Sequence, residues 1–345
     1  MDDFPILSIV IPIYNAQHTL VKTINSILNQ DFNNFEIIAV NDGSSDSSLS
    51  IMKSLQEKDK RIKIVDKKNS GVSDTRNIGN HLSKGKYITY VDADDTLELN
   101  MFVKMIDMIK KNDSDAVMCA FNQVDGKKKS LITLPWKTGT VLNKESIIEE
   151  LIPALLTSKC RGVTWNIIYL REKFKDIIMP SGINFQEDLI FCIDLFSQMG
   201  SISICNEGLY NYVRYPNSAM EKYRINCIEE RLVVRDFIKK ILMSKNIFND
   251  KIKKSFYIYC STSYVRSISN VFKNGAPKRK FKIKELKELH SYLKNDIELQ
   301  KIKDFLHYQD NNKIVPFELL DKGHIYIIYI LYELKNVVNK LKKGK

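Results

Sequence analysis

The chain has 345 residues, 44% hydrophobic and 27% charged, which excludes a disordered or fibrous chain and fits one large domain or two smaller ones. Its net charge is +12, but residues 1–218 hold 25 Lys and Arg against 27 Asp and Glu, a balance of −2. Residues 219–345 hold 28 against 14, a balance of +14, so the positive excess lies in the last third and points to two parts with different partners. The opening MDDFPILSIVIPIYN starts acidic and Pro12 interrupts its apolar run, which argues against a secretory leader. The uncharged stretch from Gly323 to Tyr332 is far shorter than the roughly 18–20 residues of a membrane span. Six scattered cysteines (Cys119, Cys160, Cys192, Cys205, Cys227 and Cys260) form no C-x-x-C pair, so the expectation is reduced thiols in a cytoplasmic protein.

In chain order, residues 6–14 (ILSIVIPIY) form a continuous apolar run, the mark of a buried strand in a parallel sheet. Residues 16–30 carry Leu20, Ile24, Ile27 and Leu28 at helical spacing. A second strand, Phe35 to Val40, runs into NDGSSD, a turn that starts a helix from Ser47 to Leu55. A third strand covers Ile62 to Asp66, a helix 73–83, a fourth strand Tyr87 to Val91, a helix 100–111, and a fifth strand Ala116 to Phe121. This alternation predicts an open α/β sheet with mostly parallel strands, in which ligands bind at the carboxyl ends of the strands. The polar motifs PIYN, NDGSSD and DADD all follow strands. From about 219 the pattern changes to Lys-rich helical segments, 226–245 and 250–272, with NGAPKRKFKIK (274–284) reading as a basic loop.

The strand YITYV runs directly into Asp92, Asp94 and Asp95. Carboxylates this close repel, so they either sit on a solvated turn that caps the next helix or await a cation. There is no G-x-G-x-x-G, and Gly79 to Lys86 has five residues between its glycines where a P-loop needs four, so neither of those nucleotide fingerprints is present.

The motifs PIYN (12–15), VNDGSSD (40–46), GVSDTRNIG (71–79) and YVDADD (90–95) occur in an order and spacing that resemble family-2 glycosyltransferases with the GT-A fold. Downstream, TWNIIYLRE (164–172), FQEDLIF (185–191) and YNYVRYPNSAM (210–220) are similar to further elements of that family, so the resemblance covers roughly residues 5–220. It implies a Rossmann-like sheet in a catalytic domain over 1–218, followed by a helical, basic region over 219–345 that contacts acceptor, membrane or another subunit. It also implies an inverting transfer of a hexosyl or N-acetylhexosaminyl group.

The resemblance assigns the roles as follows. Asp94, with Asp92, holds Mn²⁺ or Mg²⁺, hard cations that bridge carboxylates to the donor diphosphate. Asp92 contacts the ribose or completes the metal shell. Asp42 meets the base, where a carboxylate accepts from N3–H of uracil, a hydrogen that cytosine lacks, so a UDP-sugar is the expected donor. Pro12, Tyr14 and Asn15 line that pocket, with Tyr14 stacking. Arg76 contacts the phosphates or the base pocket, and Asn77 holds its loop. Asp74 stands where the family mostly has Ala or Ser, and either contacts the nucleotide or pairs with Arg76. Asp188 is the catalytic base and Glu187 orients the acceptor, although both also suit the acidic first turn of a helix. Arg214 reaches the diphosphate, supported by Ser218. Trp165 is acceptor-side or core and Tyr169 core; Ile167 stands where a Lys is common. Asp46 reads as a helix cap.

The expected acceptor is a bacterial surface glycan, a lipid-linked oligosaccharide or an anionic, teichoic-acid-like polymer. The richness in Lys, Asn and Ile suits a bacterium of low genomic GC. The same fold would also serve an inactive sugar-binding scaffold or a nucleotidyltransferase, although PIYNAQHT lacks the glycine-rich, basic loop of the latter. The basic tail carries no nucleic-acid motif, and nucleic acid is not an expected partner. Its last segment places Ile327, Leu331, Leu334, Val338 and Leu341 on one face of a basic amphipathic helix, which either lies on the inner face of the membrane or packs on the core or on another subunit of a homo-oligomer.

Overall fold

The structure, a computed structural model, describes residues 4–183, 185–215, 223–273, 276, 279–300, 316 and 318–343. The chain divides into two compact units, Met1–Leu155 with Lys159–Tyr215, and Leu156–Ser158 with Pro216–Lys345.

The first unit is built on a ten-stranded sheet. Its first four strands are β1 (Leu7–Ile13), β2 (Phe35–Asp42), β3 (Ile62–Lys67) and β4 (Tyr87–Tyr90), hydrogen-bonded in the order β3-β2-β1-β4 and all parallel. The helices α1 (Leu20–Leu28), α2 (Ser48–Lys58) and α3 (Val72–Leu82) form the crossovers between them. α1 turns Leu20, Ile24 and Ile27 inward, and full burial of each such side chain contributes about 1.5–3 kcal/mol. β1 and β2 are buried on both faces, which is why their sequences read as unbroken apolar runs.

Beyond β4 the order continues β4-β9-β6-β10-β5. Here β5 is Thr96–Leu97, β6 is Ala116–Asp125, β9 is Ile167–Leu170 and β10 is Ser201–Arg214, with α4 (Met101–Asn112) between β5 and β6. β9 is antiparallel to both β4 and β6, while β10 runs parallel to β6. β7 (Lys128–Ile132) and β8 (Val141–Asn143) pair antiparallel with β6 and β10. This is the mostly parallel α/β sheet that the spacing predicts, extended by antiparallel strands.

α3 lies close on β1 because Gly79 has no side chain: a Cβ there would sit 2.2 Å from Cγ1 of the fully buried Val10. Gly79→Ala is expected to cost roughly 1–3 kcal/mol by overpacking, read as a lower thermal midpoint. Trp165 and Tyr169 are core residues. Trp165 stacks on Tyr210 with ring centroids 4.3 Å apart and meets Phe121 edge-on at 4.9 Å. The Tyr169 hydroxyl lies 3.2 Å from that of Tyr90.

The second unit is helical, with helices at Cys227–Ser244, Asp250–Asn270, Arg279–Asn295, Ile297–Gln300 and Ile325–Lys343. Inside it, Asp296 accepts from Arg235 and from the Tyr264 hydroxyl. The basic stretch expected to be a loop is helical from Arg279 onward. Lys and Arg are good helix formers, and the stretch from Arg279 to Asn295 holds no Pro or Gly to break the helix. Among the described residues no helix is long and apolar enough to cross a membrane. Ser218, Asn274 and Gly275 lie outside the described residues.

Candidate active site

Three neighbouring parallel strands deliver their ends to one place. β1 ends at Ile13 and is followed by Tyr14 and Asn15, β2 ends at Asp42, and β4 runs into Asp92 to Asp95. Tyr14 is 57% exposed at this strand end, so its ring is open to solvent. Asn15 has a left-handed backbone (φ 49°) and links the first two loops: its amide donates to Ser44 Oγ at 3.0 Å, and its Oδ1 accepts from the Ser45 amide at 2.8 Å. Asp46 accepts from the Ser48 amide at 2.9 Å from the position just before Ser47, the N-cap of α2, so it braces the turn into the helix and is not itself the cap. Burial, the largest single influence, raises its carboxyl, but the bonds from Ser48 and from the Gln17 amide together hold it below the usual range.

Asp42 is 5% exposed and held on three sides. Its Oδ1 accepts from the Ser70 amide at 2.9 Å and from Lys67, which faces it across the β2–β3 register; its Oδ2 accepts from the Gly71 amide at 3.1 Å. A carboxylate has about four acceptor positions, so Oδ2 keeps one for a further donor. Gly43 (φ 68°) lets the chain turn directly after Asp42, where a Cβ would meet the Asn69 backbone nitrogen at 2.8 Å.

The three acids after β4 have different environments. Asp95 is 1% exposed, with Oδ2 accepting from the Tyr210 hydroxyl at 2.8 Å and Oδ1 from the Val213 amide at 2.7 Å. Both oxygens are thus taken by protein donors, and burial first, then Asp92 and Asp94, push the carboxyl up to about 9. Asp95→Ala would leave Tyr210 and Val213 without their acceptor and is expected to cost roughly 1–3 kcal/mol for each buried group so exposed. Asp95→Asn, which can still accept from Val213, should lose far less in a thermal melt.

Asp94 is exposed at its tip, yet the protein atoms around it and the charge of Asp92 raise its carboxyl to about 6. The Tyr215 hydroxyl donates to its backbone carbonyl at 3.2 Å. None of these acids caps α4, which Asn100 precedes without a side-chain cap, so the solvated capping turn does not describe them.

The pair Glu187–Asp188 opens the helix Glu187–Gln198, straight after Gln186 in a left-handed conformation (φ 56°). α3 fixes the strap leading to it. Asn77 exchanges two 2.9 Å hydrogen bonds with the Met179 backbone, as its expected loop-holding role requires. Asp74 accepts from Ser181 Oγ at 2.5 Å and does not pair with Arg76.

Arg76 joins the parts. It is 3% exposed and donates to Asp188 Oδ1 at 2.6 Å, to Glu187 Oε1 at 3.4 Å and to Asp92 Oδ1 at 2.8 Å. One buried guanidinium thus holds three carboxylates from two distant stretches of chain, and its own pKa rises further because of them. Asp188 is raised to about 7, chiefly by burial, with Glu187 and Asp92 adding to the rise and Arg76 opposing it. A carboxylate poised there can take up a proton near neutral pH. Arg76 is therefore engaged with carboxylates, where the sequence suggested the phosphates or the base pocket.

Arg214 is exposed at the end of β10, with its Nη1 3.9 Å from Asp125. The sequence reading did not single out Lys67, Tyr210 or Tyr215. The signal for Lys67 was the β2–β3 register, which places it opposite Asp42.

Among the described residues no group of three or more His, Cys, Asp and Glu side chains forms a metal site by itself. The Asp92–Asp94 pair still fits a shared cation. Asp94 offers an exposed carboxylate whose charge is disfavoured by Asp92, and Asp92 gives only Oδ1 to Arg76, so a hard divalent ion bound also by a ligand would relieve both.

The sequence pattern of the family described as "Glycosyl transferase family 2" matches residues 8–177. The chain is 32% identical over 219 residues to the uncharacterized glycosyltransferase EpsJ of Bacillus subtilis, a match that spans 63% of this chain and 63% of that protein. It is 28% identical over 278 residues to the cholesterol galactosyltransferase of Borreliella burgdorferi, 76% of each chain. Among solved structures, residues 1–349 of S. aureus TarS in complex with UDP-GlcNAc superpose with a TM-score of 0.71 at 17% identity, covering 98% of this chain and 92% of that one. The order of strands, the strand-end motifs and these matches agree: residues 8–177 are similar to glycosyl transferase family 2, and the sheet has the GT-A fold.

Proposed function

We propose that the protein is a metal-dependent inverting glycosyltransferase that moves a hexosyl or N-acetylhexosaminyl group from a UDP-sugar to a hydroxyl of a surface glycan, a lipid-linked oligosaccharide or a teichoic-acid-like polymer. The observation that carries the reading is the convergence on Arg76 of Asp92, from the end of β4, two strands from Asp42 at the end of β2, with the Glu187–Asp188 pair. A solved relative of the same fold is in complex with UDP-GlcNAc, which supports a nucleotide-sugar donor.

In this reading the free acceptor position of Asp42 Oδ2 receives N3–H of uracil, Tyr14 stacks on the base, and Pro12 and Asn15 shape the pocket. Asp94 and Asp92 hold Mn²⁺ or Mg²⁺, which when bound neutralises the diphosphate and stabilises it as a leaving group. Arg214 exchanges Asp125 for the diphosphate, and Asp74 keeps the strap in place through Ser181. Glu187 orients the acceptor. Asp188 removes the acceptor hydroxyl proton as the oxygen bonds to the anomeric carbon and the bond to the diphosphate breaks. A single displacement inverts that centre, so an α-linked donor gives a β-linked product. Such donors place the work in the cytoplasm. One relative is named for a sterol acceptor, so the domain alone does not fix the acceptor class.

The test is a thermal-shift panel of UDP-, GDP-, dTDP- and CMP-sugars, each with and without Mn²⁺. UDP-sugars are expected to stabilise the protein selectively and only with the metal; equal or no stabilisation by all donors contradicts the reading.

A further inference from the structure

The helix Ile325–Lys343 opens with IYIIYILY, apolar or aromatic on every side. One side is used within the second unit. Ile325 and Ile328 are buried, and the Tyr332 ring stacks on Phe272 with centroids 4.9 Å apart while its hydroxyl meets Ser269 Oγ at 3.2 Å. The opposite side is bare: Tyr326, Ile327, Ile330, Leu331 and Leu334 are 47–58% exposed. Ile327, Ile330, Leu331 and Leu334 follow one another at helical spacings of three, four and seven, so they form a continuous stripe. Val338 and Leu341, expected on that face, have side chains outside the described residues.

Charge decides what such a stripe can meet. The helix carries four Lys against one Glu, and the helix packed beside it, Arg279–Asn295, carries six basic residues against two acidic. Lys322 and Lys335 are exposed at either end of the bare stripe. A second copy laid face to face would bring these like charges together, whereas an anionic surface would be drawn to them. A scattered exposed leucine needs no account, but a continuous apolar stripe on a cationic body does.

We propose that this face docks the protein on an anionic lipid bilayer, with the helix lying in the interface plane. Its apolar side would enter the headgroup boundary by roughly 5–10 Å while its lysines meet lipid phosphates. The packed side stays as it is, so docking needs no unfolding of the unit. The inference does not depend on the donor reading, because it is measured without nucleotide.

The test is cosedimentation of the full chain with large vesicles of phosphatidylglycerol and phosphatidylcholine in equal parts, against phosphatidylcholine alone. The bound fraction should be roughly tenfold greater on the anionic vesicles and fall as salt is raised. The double substitution Ile330→Glu and Leu331→Glu should lower binding about tenfold with an unchanged thermal midpoint, since both side chains already face solvent. Equal binding to both vesicle types overturns the proposal. So does a doubly substituted chain that binds like the wild type, which would mean charge alone is read. A wild-type dimer without vesicle binding, dissociated by the same substitutions, would assign the face to a second copy and overturn it equally.

Discussion

Replacing Arg76 with methionine is expected to abolish transfer and to lower stability by roughly 3–5 kcal/mol, the range for removing one partner of a buried ion pair. The guanidinium is the counter-charge of Asp92, Glu187 and Asp188, and its removal leaves three carboxylates close together in a poorly solvated place. Either the acids take up protons or the strap bearing Glu187 moves away from the strand ends. Arg76→Lys keeps the charge but not the planar fork that reaches two directions at once, so it should fold better and transfer slowly. Its pairing with Asp188 would also be weaker. Because Arg76 is the group that opposes the upward shift of Asp188, the base should titrate at higher pH in that variant than in the wild type. Stopped assays across pH, with chemical denaturation of each variant, separate the kinetic loss from the loss of stability.

The second large effect concerns Asp188 in its proposed role as the base. Asp188→Asn should leave UDP-sugar binding near its wild-type value and reduce transfer by ~10²–10⁴-fold, the usual contribution of a positioned general base. Asparagine keeps the shape, and its carbonyl oxygen can still accept from Arg76. In its proposed role Asp188 must be deprotonated to act. With Asp188 raised to about 7, chiefly by burial, transfer should climb with pH through that region and level off above it. The Asp188→Asn variant should show no such limb. Normal turnover in the variant would remove Asp188 from the role.

Much of the frame was legible before folding. β1 and β2 announce themselves as apolar runs because both faces of a parallel sheet are covered there, and α1 carries a stripe that matches its buried residues. The middle of the chain was not legible. β7, β8 and β9 have three to five residues each, too few for a period to show, and β9 joins the sheet only by pairing with β4 and β6, both distant in sequence. The acids of the site were visible as chemistry, since few structural roles need three aspartates after a strand. Their division of labour was not. Asp95 differs from Asp94 only because Tyr210 and Val213, more than a hundred residues on, come to meet it. Arg76 likewise could be read as a phosphate ligand until the fold brought Glu187 and Asp188 to it across more than a hundred residues of chain. Lys67 gains meaning only from strand register.

The central claim is that the acids after β4 bind a nucleoside diphosphate through a divalent ion. Calorimetric titration of UDP into the wild type and into Asp94→Asn, each with and without Mn²⁺, tests it most directly. The prediction is tight binding for the wild type only with Mn²⁺, and a loss of that metal dependence in Asp94→Asn. Binding of UDP that is the same in both proteins, with or without the metal, would contradict it.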